Sequence, residues 1–254
     1  MKKFSLFLFV LVSACAMETS KRSNSIETNF ISSLSDAYVG IELNNSYQWL
    51  GIPYAVPPQG SLRWKAPRAL EIKKKKIKAI KYSDPCPQVP SISLESEELS
   101  NIETQRRGYA GSEDCLYLNV FTPKNIKLDK KLPVMFWIHG GGNTSGEARS
   151  YDFSKLASAH ELIIVSINYR LGFLGWFYHP SFAATSNNLE DKSGNFGTLD
   201  QIIALKWVQQ NIADFGGDKD NVTIFGESAG GHNVFALLSS PLAKDLFHKA
   251  ISQS

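Results

Sequence analysis

The stretch that decides the fold is FGGDKDNVTIFGESAG, residues 215–230. Its apolar run at 221–225 predicts a buried strand, and residues 229–238 predict a helix. Between them stands the pentapeptide Gly226–Gly230, with Ser228 at its centre. A sharp strand-to-helix turn brings the two elements so close that glycine fits on either side of the serine. Such a turn would lift the hydroxyl of Ser228 above the sheet, where it can act as a nucleophile.

A second glycine-rich turn follows another apolar run. Residues 133–138 (PVMFWI) lead directly into His139-Gly140-Gly141-Gly142. Three glycines let the backbone turn and expose N–H groups with no side chain in the way. With the amide of Ala229, at the start of the predicted helix, two such donors would form an oxyanion hole, each worth about 3–4 kcal/mol to the transition state. Alone, the run also fits a flexible turn, but its combination with the serine turn favours the oxyanion hole.

Continuous apolar runs alternate with a helical pattern through the second half of the chain. The runs lie at 133–138, 161–168, 221–225 and 249–254, and residues 199–212 carry apolar side chains at helical spacing. Continuous apolar strands are typical of a sheet that is buried on both faces. The sequence therefore predicts an α/β fold with a mostly parallel central sheet and helices on both faces.

These motifs give the chain a resemblance to the type-B carboxylesterases, the cholinesterase/lipase family of α/β-hydrolases. Residues 215–230 match the serine signature of that family, and residues 113–120 (EDCLYLNV) match its second signature. Shorter matches are Gly51-IPYA, Asn168-YRLGFLG and Asp200-Gln201. The resemblance covers about residues 36–254 and implies the α/β-hydrolase fold, of which this chain would be the N-terminal part.

The resemblance also implies roles for individual residues. Gly140 would shape the glycine loop, and the other residues concerned are the nucleophile Ser228, the oxyanion donors Gly141, Gly142 and Ala229, and Glu227, a buried carboxylate that supports the site. Cys86 and Cys115 would form the first disulfide of the family. From the residues alone, two cysteines in an exported protein also favour a disulfide over a metal site. The disulfide would close a loop of about 30 residues and stabilise the fold by about 3–4 kcal/mol.

The triad acid and the histidine of this family lie well beyond the serine. The resemblance therefore implies a carboxylic ester hydrolase that acts through an acyl-enzyme, with this chain carrying the nucleophile but neither the acid nor the base. None of the five histidines is expected to be the base, and the chain alone is expected to be inactive. Two alternatives stay open: a non-catalytic binding or adhesion protein on the same fold, and a hydrolase of amides or carbamates. The intact serine and glycine motifs argue against the first alternative.

One difference in sequence from the cholinesterases narrows the range of expected substrates. Their loop between the first two cysteines carries a tryptophan that stacks on a quaternary ammonium group. Residues 87–114 contain no tryptophan, so a choline ester is not favoured. The glycine loop continues as Asn143-Thr144, where the family often has an aromatic residue, and this leaves the shape of the acyl pocket open.

The N-terminus predicts export. Residues 1–14 have a positive start, a short apolar run and small residues, as in a signal peptide, and the run is too short to span a bilayer. Val12-Ser13-Ala14-Cys15 resembles a bacterial lipobox, in which Cys15 would be lipidated, and Ala16 favours the outer membrane. Residues 15–35 are polar and are interpreted as a tether before the domain at 36–254. The alternative is a secreted protein in which Cys15 has no role.

Charge and composition exclude other classes of partner. Lysine and arginine number 27 against 24 aspartates and glutamates, a balance that does not favour a nucleic-acid partner. No pair of histidines or cysteines has the spacing of a metal site, and acyl transfer through a serine needs no cofactor. The expected partner is a small-molecule ester, membrane contact is expected only through a lipid on Cys15, and the oligomeric state is not predicted.

Overall fold

The computed structural model describes residues 26–30, 38–43, 45–70, 77–89, 108–124, 131–184 and 186–254. The predicted signal peptide at 1–14 and the predicted lipidation site Cys15 lie outside these ranges. Within them, no helix has both the length and the apolar character required to cross a membrane.

Nine strands of the described chain form one sheet. They are β1 Ile26–Phe30, β2 Tyr38–Leu43, β3 Ser46–Pro53, β4 Ile77–Lys78, β5 Tyr117–Pro123, β6 Leu132–Ile138, β7 Ile163–Ile167, β8 Gly217–Glu227 and β9 Lys249–Gln253. Their order across the sheet is β1-β2-β3-β5-β7-β6-β8-β9, and β4 pairs with β2. The strands predicted from the apolar runs at 133–138, 161–168, 221–225 and 249–254 are thus confirmed as β6, β7, β8 and β9.

The sheet has an antiparallel and a parallel half. From β1 through β2, β3 and β5 to β7, neighbours run antiparallel. From β7 through β6 and β8 to β9, they run parallel. The carboxyl ends of β6 and β8 therefore lie side by side, with Ile138 paired to Gly226. Both glycine-rich turns begin at this edge of the sheet.

Helices cover both faces of the sheet. The five described α-helices are α1 Ser154–His160, α2 Gly172–Gly175, α3 Pro180–Ala184, α4 Phe196–Asn211 and α5 Ala229–Ser239. Side chains alternate along β6, so that Phe136 packs in the core with Leu205 of α4, whereas Trp137 packs in the opposite core with Ala157 of α1. The predicted α/β fold with helices on both faces is confirmed.

A buried ion pair joins α4 to the segment after β7. Arg170 contacts both carboxylate oxygens of Asp200, at 2.7 and 2.8 Å, and its backbone amide donates to the same carboxylate at 3.0 Å. The guanidinium also donates to the carbonyl of Lys65 at 2.8 Å. Both side chains are almost fully buried, so each charge depends on the other for compensation. The pair fixes the start of α4 beside the carboxyl edge of the sheet.

The polar tether predicted for residues 15–35 does not hold throughout that range. Residues Ile26–Phe30 form β1, which pairs antiparallel with β2 from Ile26 opposite Glu42 to Phe30 opposite Tyr38. A strand at the edge of a sheet pairs on one side only, and it can be polar without a burial penalty. The polar composition of this segment was therefore no argument against a strand.

Candidate active site

Ser228 stands at the apex of a sharp turn between β8 and α5. Strand β8 ends at Glu227, and α5 begins at Ala229. The backbone of Ser228 has φ 56° and ψ −122°, a conformation that residues other than glycine rarely adopt. The residue is half-buried, and the predicted strand–turn–helix arrangement is confirmed.

Steric contact explains the glycines on either side of the serine. A Cβ placed on Gly230 would lie 2.1 Å from the carbonyl oxygen of Ile138. A Cβ on Gly226 would lie 2.5 Å from the carbonyl of Gly230 and 2.8 Å from that of Ile138. These are backbone atoms of the last residue of β6 and of the first turn of α5, and they have little freedom to move away. The prediction that side chains would collide at both positions is confirmed.

The glycine loop after β6 lies against the serine turn. A Cβ placed on Gly140 would lie 3.1 Å from Cβ of Ser228 and 2.8 Å from the carbonyl oxygen of Glu227. Gly141 and Gly142 have φ values of 94° and 63°, in the left-handed region that favours glycine. The structure therefore brings together the two turns that the sequence predicted to cooperate.

Three backbone amides at this junction are without acceptors. Within the residues that the structure describes, no oxygen accepts a hydrogen bond from the N–H of Gly141, Gly142 or Ala229. Ala229 is the first residue of α5, where N–H groups have no partner inside the helix. Amides of this kind are available to an anionic oxygen, and the positive end of the helix dipole adds to their effect.

The side chain of His139 helps to hold the glycine loop in its conformation. It is buried, its ring stacks on Tyr169 at a centroid distance of 4.4 Å, and its Nδ1–H donates to the carbonyl of Gly140 at 2.8 Å. Burial lowers the pKa of His139 to about 4, although the hydrogen bond to Gly140 acts in the opposite direction. The imidazole is therefore neutral near pH 7 and serves as a fixed hydrogen-bond donor.

The disulfide between Cys86 and Cys115 is present, as the sequence predicted. Two residues after Cys86, the buried side chain of Gln88 bridges to the end of the glycine loop. Its Oε1 accepts from the N–H of Gly146 at 2.8 Å, and its Nε2 donates to the carbonyl of Gly146 at 3.0 Å and to that of Cys86 at 3.0 Å. The disulfide-bonded segment thus holds the loop in place.

A further contact joins the glycine loop to the serine helix. Nδ2 of Asn233, on α5, donates to Oδ1 of Asn143 at 2.9 Å. The carbonyl of Asn143 also accepts from the N–H of Gly172 at 2.6 Å. Sequence reasoning identified neither Gln88 nor Asn233, because a single amide side chain carries no periodic signal, and only the closeness of Gln88 to Cys86 could have drawn attention to it.

Glu227 was expected to be buried, and that expectation is wrong for this chain. The residue is exposed, although its Oε2 would lie 3.0 Å from a Cβ on Gly140. It ends β8, whose outer neighbour β9 is exposed along its whole length. With so little packed over this edge of the described sheet, the carboxylate faces solvent.

No histidine of the described residues hydrogen-bonds to the hydroxyl of Ser228. His139 is committed to Gly140, and Nδ1 of His248 accepts from the N–H of Val222 at 3.1 Å. His232 is exposed on α5, where its own backbone amide donates to the carbonyl of Ser228. That none of the five histidines is the general base stays a prediction.

A serine at a strained turn between a parallel strand and a helix, beside amides that have no acceptor among the described residues, defines the α/β-hydrolase class. Comparison with known sequences narrows this further. The chain belongs to the carboxylesterase family, whose model matches residues 25–254.

Relatives of known name agree with this family. The chain is 49% identical over 217 residues to a para-nitrobenzyl esterase of Bacillus subtilis, covering 85% of this chain and 41% of the relative. It is 47% identical over 206 residues to a liver carboxylesterase of Sus scrofa, covering 81% of this chain and 35% of the relative. The chain thus spans well under half the length of these relatives.

A solved structure of a thermophilic pNB esterase superposes on this fold with a TM-score of 0.73 and 47% sequence identity. The match covers 85% of this chain and 42% of that one. At this level of identity the likeness concerns the sequence as well as the fold.

Proposed function

We propose that this chain provides the nucleophile and the oxyanion hole of a carboxylic ester hydrolase. Ser228 attacks the ester carbonyl, the alcohol leaves, and water then hydrolyses the acyl-enzyme by the same route. The observation that carries the proposal is the position of Ser228, at the apex of a strained turn with unpaired amides beside it. Family membership supports the same chemistry.

The oxyanion donors in this proposal are Gly141, Gly142 and Ala229. Their N–H groups have no acceptor among the described residues, and Gly140 packs against Cβ of Ser228. Each donor would stabilise the tetrahedral intermediate by about 3–4 kcal/mol. Glu227 has a supporting role, since its carboxylate lies against Gly140 next to the serine.

The proposal assigns the acid and the histidine of the triad to residues outside this chain. Two facts support this: no histidine of the described residues bonds to Ser228, and the matched relatives are more than twice as long as the matched region. The chain alone is therefore inactive in this proposal. A choline ester is not the expected substrate, because residues 87–114 lack a tryptophan.

The proposal is tested with an assay protein, which carries this chain together with the residues that complete the domain in its relatives. Hydrolysis of p-nitrophenyl acetate is expected, and Ser228→Ala should reduce kcat by at least about a thousandfold. Ser239→Ala is the matched control, since that serine is exposed at the other end of the same helix, where its hydroxyl donates to the carbonyl of Phe235. Full turnover by Ser228→Ala would disprove the mechanism, and turnover of a p-nitroanilide alone would favour an amide hydrolase.

We also propose that Cys15 carries a lipid that anchors the protein to the bacterial outer membrane. The support is sequence alone: the apolar run before residue 12 and the lipobox-like Val12-Ser13-Ala14-Cys15. Radiolabelled palmitate should label the wild type and not Cys15→Ser. Equal labelling of both, or of neither, would disprove the anchor and leave the secreted form.

A further inference from the structure

One buried side chain contacts both the serine helix and the glycine loop. Asn233 lies on α5, five positions after Ser228, and is only 4% exposed. Its Nδ2 donates to Oδ1 of Asn143 at 2.9 Å. Asn143 directly follows Gly142 and has φ 57°, a left-handed conformation that asparagine tolerates better than most residues. The contact therefore reaches the far end of the glycine run.

The near end of that run is held by Tyr169, which lies close to Asn233. The hydroxyl of Tyr169 donates to the carbonyl of His139 at 2.5 Å, and its ring stacks on the imidazole. Burial raises the pKa of Tyr169, and the nearby side chain of Asn233 partly offsets this rise. On either side of the three glycines, Asn143 is thus bonded to Asn233 of α5, and His139 is bonded to Tyr169.

The contacts of Gly141 lie within the loop itself, since its carbonyl accepts from the N–H groups of Thr144 and Ser145 at 3.0 Å. Gly141 and Gly142 are exposed, and a Cβ placed on Gly142 would meet nothing nearer than 3.6 Å. An exposed run of glycine has high conformational entropy unless its ends are held. Its amides must nevertheless stand at a fixed distance from Ser228, because a misplacement of about 1 Å can cost a hundredfold in rate.

We infer that Asn233 is a positioning residue, which sets the place of the glycine loop relative to Ser228 by holding Asn143. The inference rests on the proposed function, since it assigns Asn233 to the oxyanion hole of that reaction. Asn233 does not touch the reacting atoms, and it acts through the loop that carries the amides of Gly141 and Gly142. The amides of the loop bind the oxyanion of the transition state more strongly than they bind the ground-state ester. Displacement of the loop therefore lowers kcat more than it raises KM.

The first experiment measures ester hydrolysis by the assay protein with Asn233→Leu, Asn143→Gly and both changes together. Leucine matches the size of asparagine without a donor, and glycine at 143 removes the acceptor but keeps the left-handed backbone free of strain. Each single variant should lower kcat by about 10- to 100-fold and change KM by less than about threefold. The double variant should be no slower than the slower single variant, because both changes break one bond.

Asn211→Leu is the matched control for a purely structural effect. Asn211 is another buried helical asparagine, and its Nδ2 donates to the carbonyl of Trp207 at 2.8 Å, at the far end of α4. Its replacement should lower the melting temperature and leave kcat unchanged. An unchanged kcat in Asn233→Leu, a loss that falls equally on Asn211→Leu, or additive losses in the double variant would overturn the inference.

A second measurement separates this inference from the proposed function. The amides of Thr144 and Ser145 donate to the carbonyl of Gly141 at 3.0 Å, so their hydrogen exchange reports whether the loop is ordered. Exchange at both should be at least about tenfold faster in Asn233→Leu than in Asn211→Leu. If the wild type hydrolyses no ester, the proposed function fails, and this exchange alone decides whether Asn233 holds the loop. Equal protection in the two variants overturns the inference.

Discussion

The two turns that meet at the site are built by different means. The serine turn is held by backbone packing, since Gly230 and Gly226 press against the carbonyl of Ile138. The glycine loop is held by side chains from distant segments, above all Gln88 and Asn233. The first turn is thus determined by its own pentapeptide and its neighbouring strand. The second depends on hydrogen bonds that can be removed one at a time.

The largest effect is expected where packing alone fixes the backbone. Gly230→Ala places a Cβ 2.1 Å from the carbonyl oxygen of Ile138, in the paired part of β6. Movement of Ile138 would cost sheet hydrogen bonds, and movement of Gly230 would distort the first turn of α5, so the free energy of unfolding should fall by more than about 4 kcal/mol. Urea unfolding measures this loss.

Gly142→Ala is the matched control in the glycine loop. Its nearest neighbour would be 3.6 Å away, so only the φ of 63° opposes the substitution, at about 1 kcal/mol. If Gly142→Ala and Gly230→Ala lowered the free energy of unfolding by similar amounts, the serine turn and the glycine loop would not be held by different means.

Acid should weaken the glycine loop through His139. The pKa of this residue is about 4 in the folded state, below its ordinary value of 6.5, because burial disfavours the charged ring. Between pH 6.5 and 4 the unfolded chain binds a proton that the folded chain does not, so stability present above pH 6.5 is lost as the pH falls. The loss from this group is about 3 kcal/mol.

Unfolding free energies of wild type and His139→Gln at several pH values measure this contribution. Glutamine does not titrate, so the difference between the two proteins should shrink as the pH falls from 6.5 to 4. Parallel curves for wild type and His139→Gln would contradict the prediction.

A smaller effect is expected from one amide bridge. Gln88→Met keeps the volume but leaves the N–H of Gly146 without an acceptor, at a cost of about 2 kcal/mol. Gln209→Met is the control, since Gln209 also donates to two carbonyls, those of Lys219 and Leu246, but is half-buried and can be replaced by water. Thermal unfolding should show a clear drop in melting temperature for Gln88→Met only. Equal drops in the two variants would mean that burial of the bridge is irrelevant.

The smallest effect is expected at the serine, and it has the opposite sign. Ser228→Gly removes the strain of φ 56° and ψ −122° and should stabilise the fold by about 1 kcal/mol, after the entropy cost of glycine. Ser228→Ala keeps the strain and should leave stability unchanged. A loss of stability in Ser228→Gly would show that the serine turn is not strained.

Much of the serine turn could be predicted from the sequence, and much of its surroundings could not. Gly226, Ser228 and Gly230 carry a local steric requirement that the pentapeptide shows directly. The bonds of Gln88 and Asn233 span 58 and 90 positions, and nothing near either residue marks its partner. β1 was missed because an edge strand needs no apolar pattern, and the exposure of Glu227 was missed because the resemblance assigned it a buried role.

The ion pair of Arg170 bears on the order in which the chain assembles during synthesis. The guanidinium contacts Lys65 and Asp200, which are 105 and 30 positions away in opposite directions. The ribosome therefore releases the cation before its carboxylate, and loops must close before the contact is gained. We expect the ion pair between Arg170 and Asp200 to form late, only after the start of α4 has left the exit tunnel. Until then the nascent chain holds a charge that cannot yet enter the protein interior.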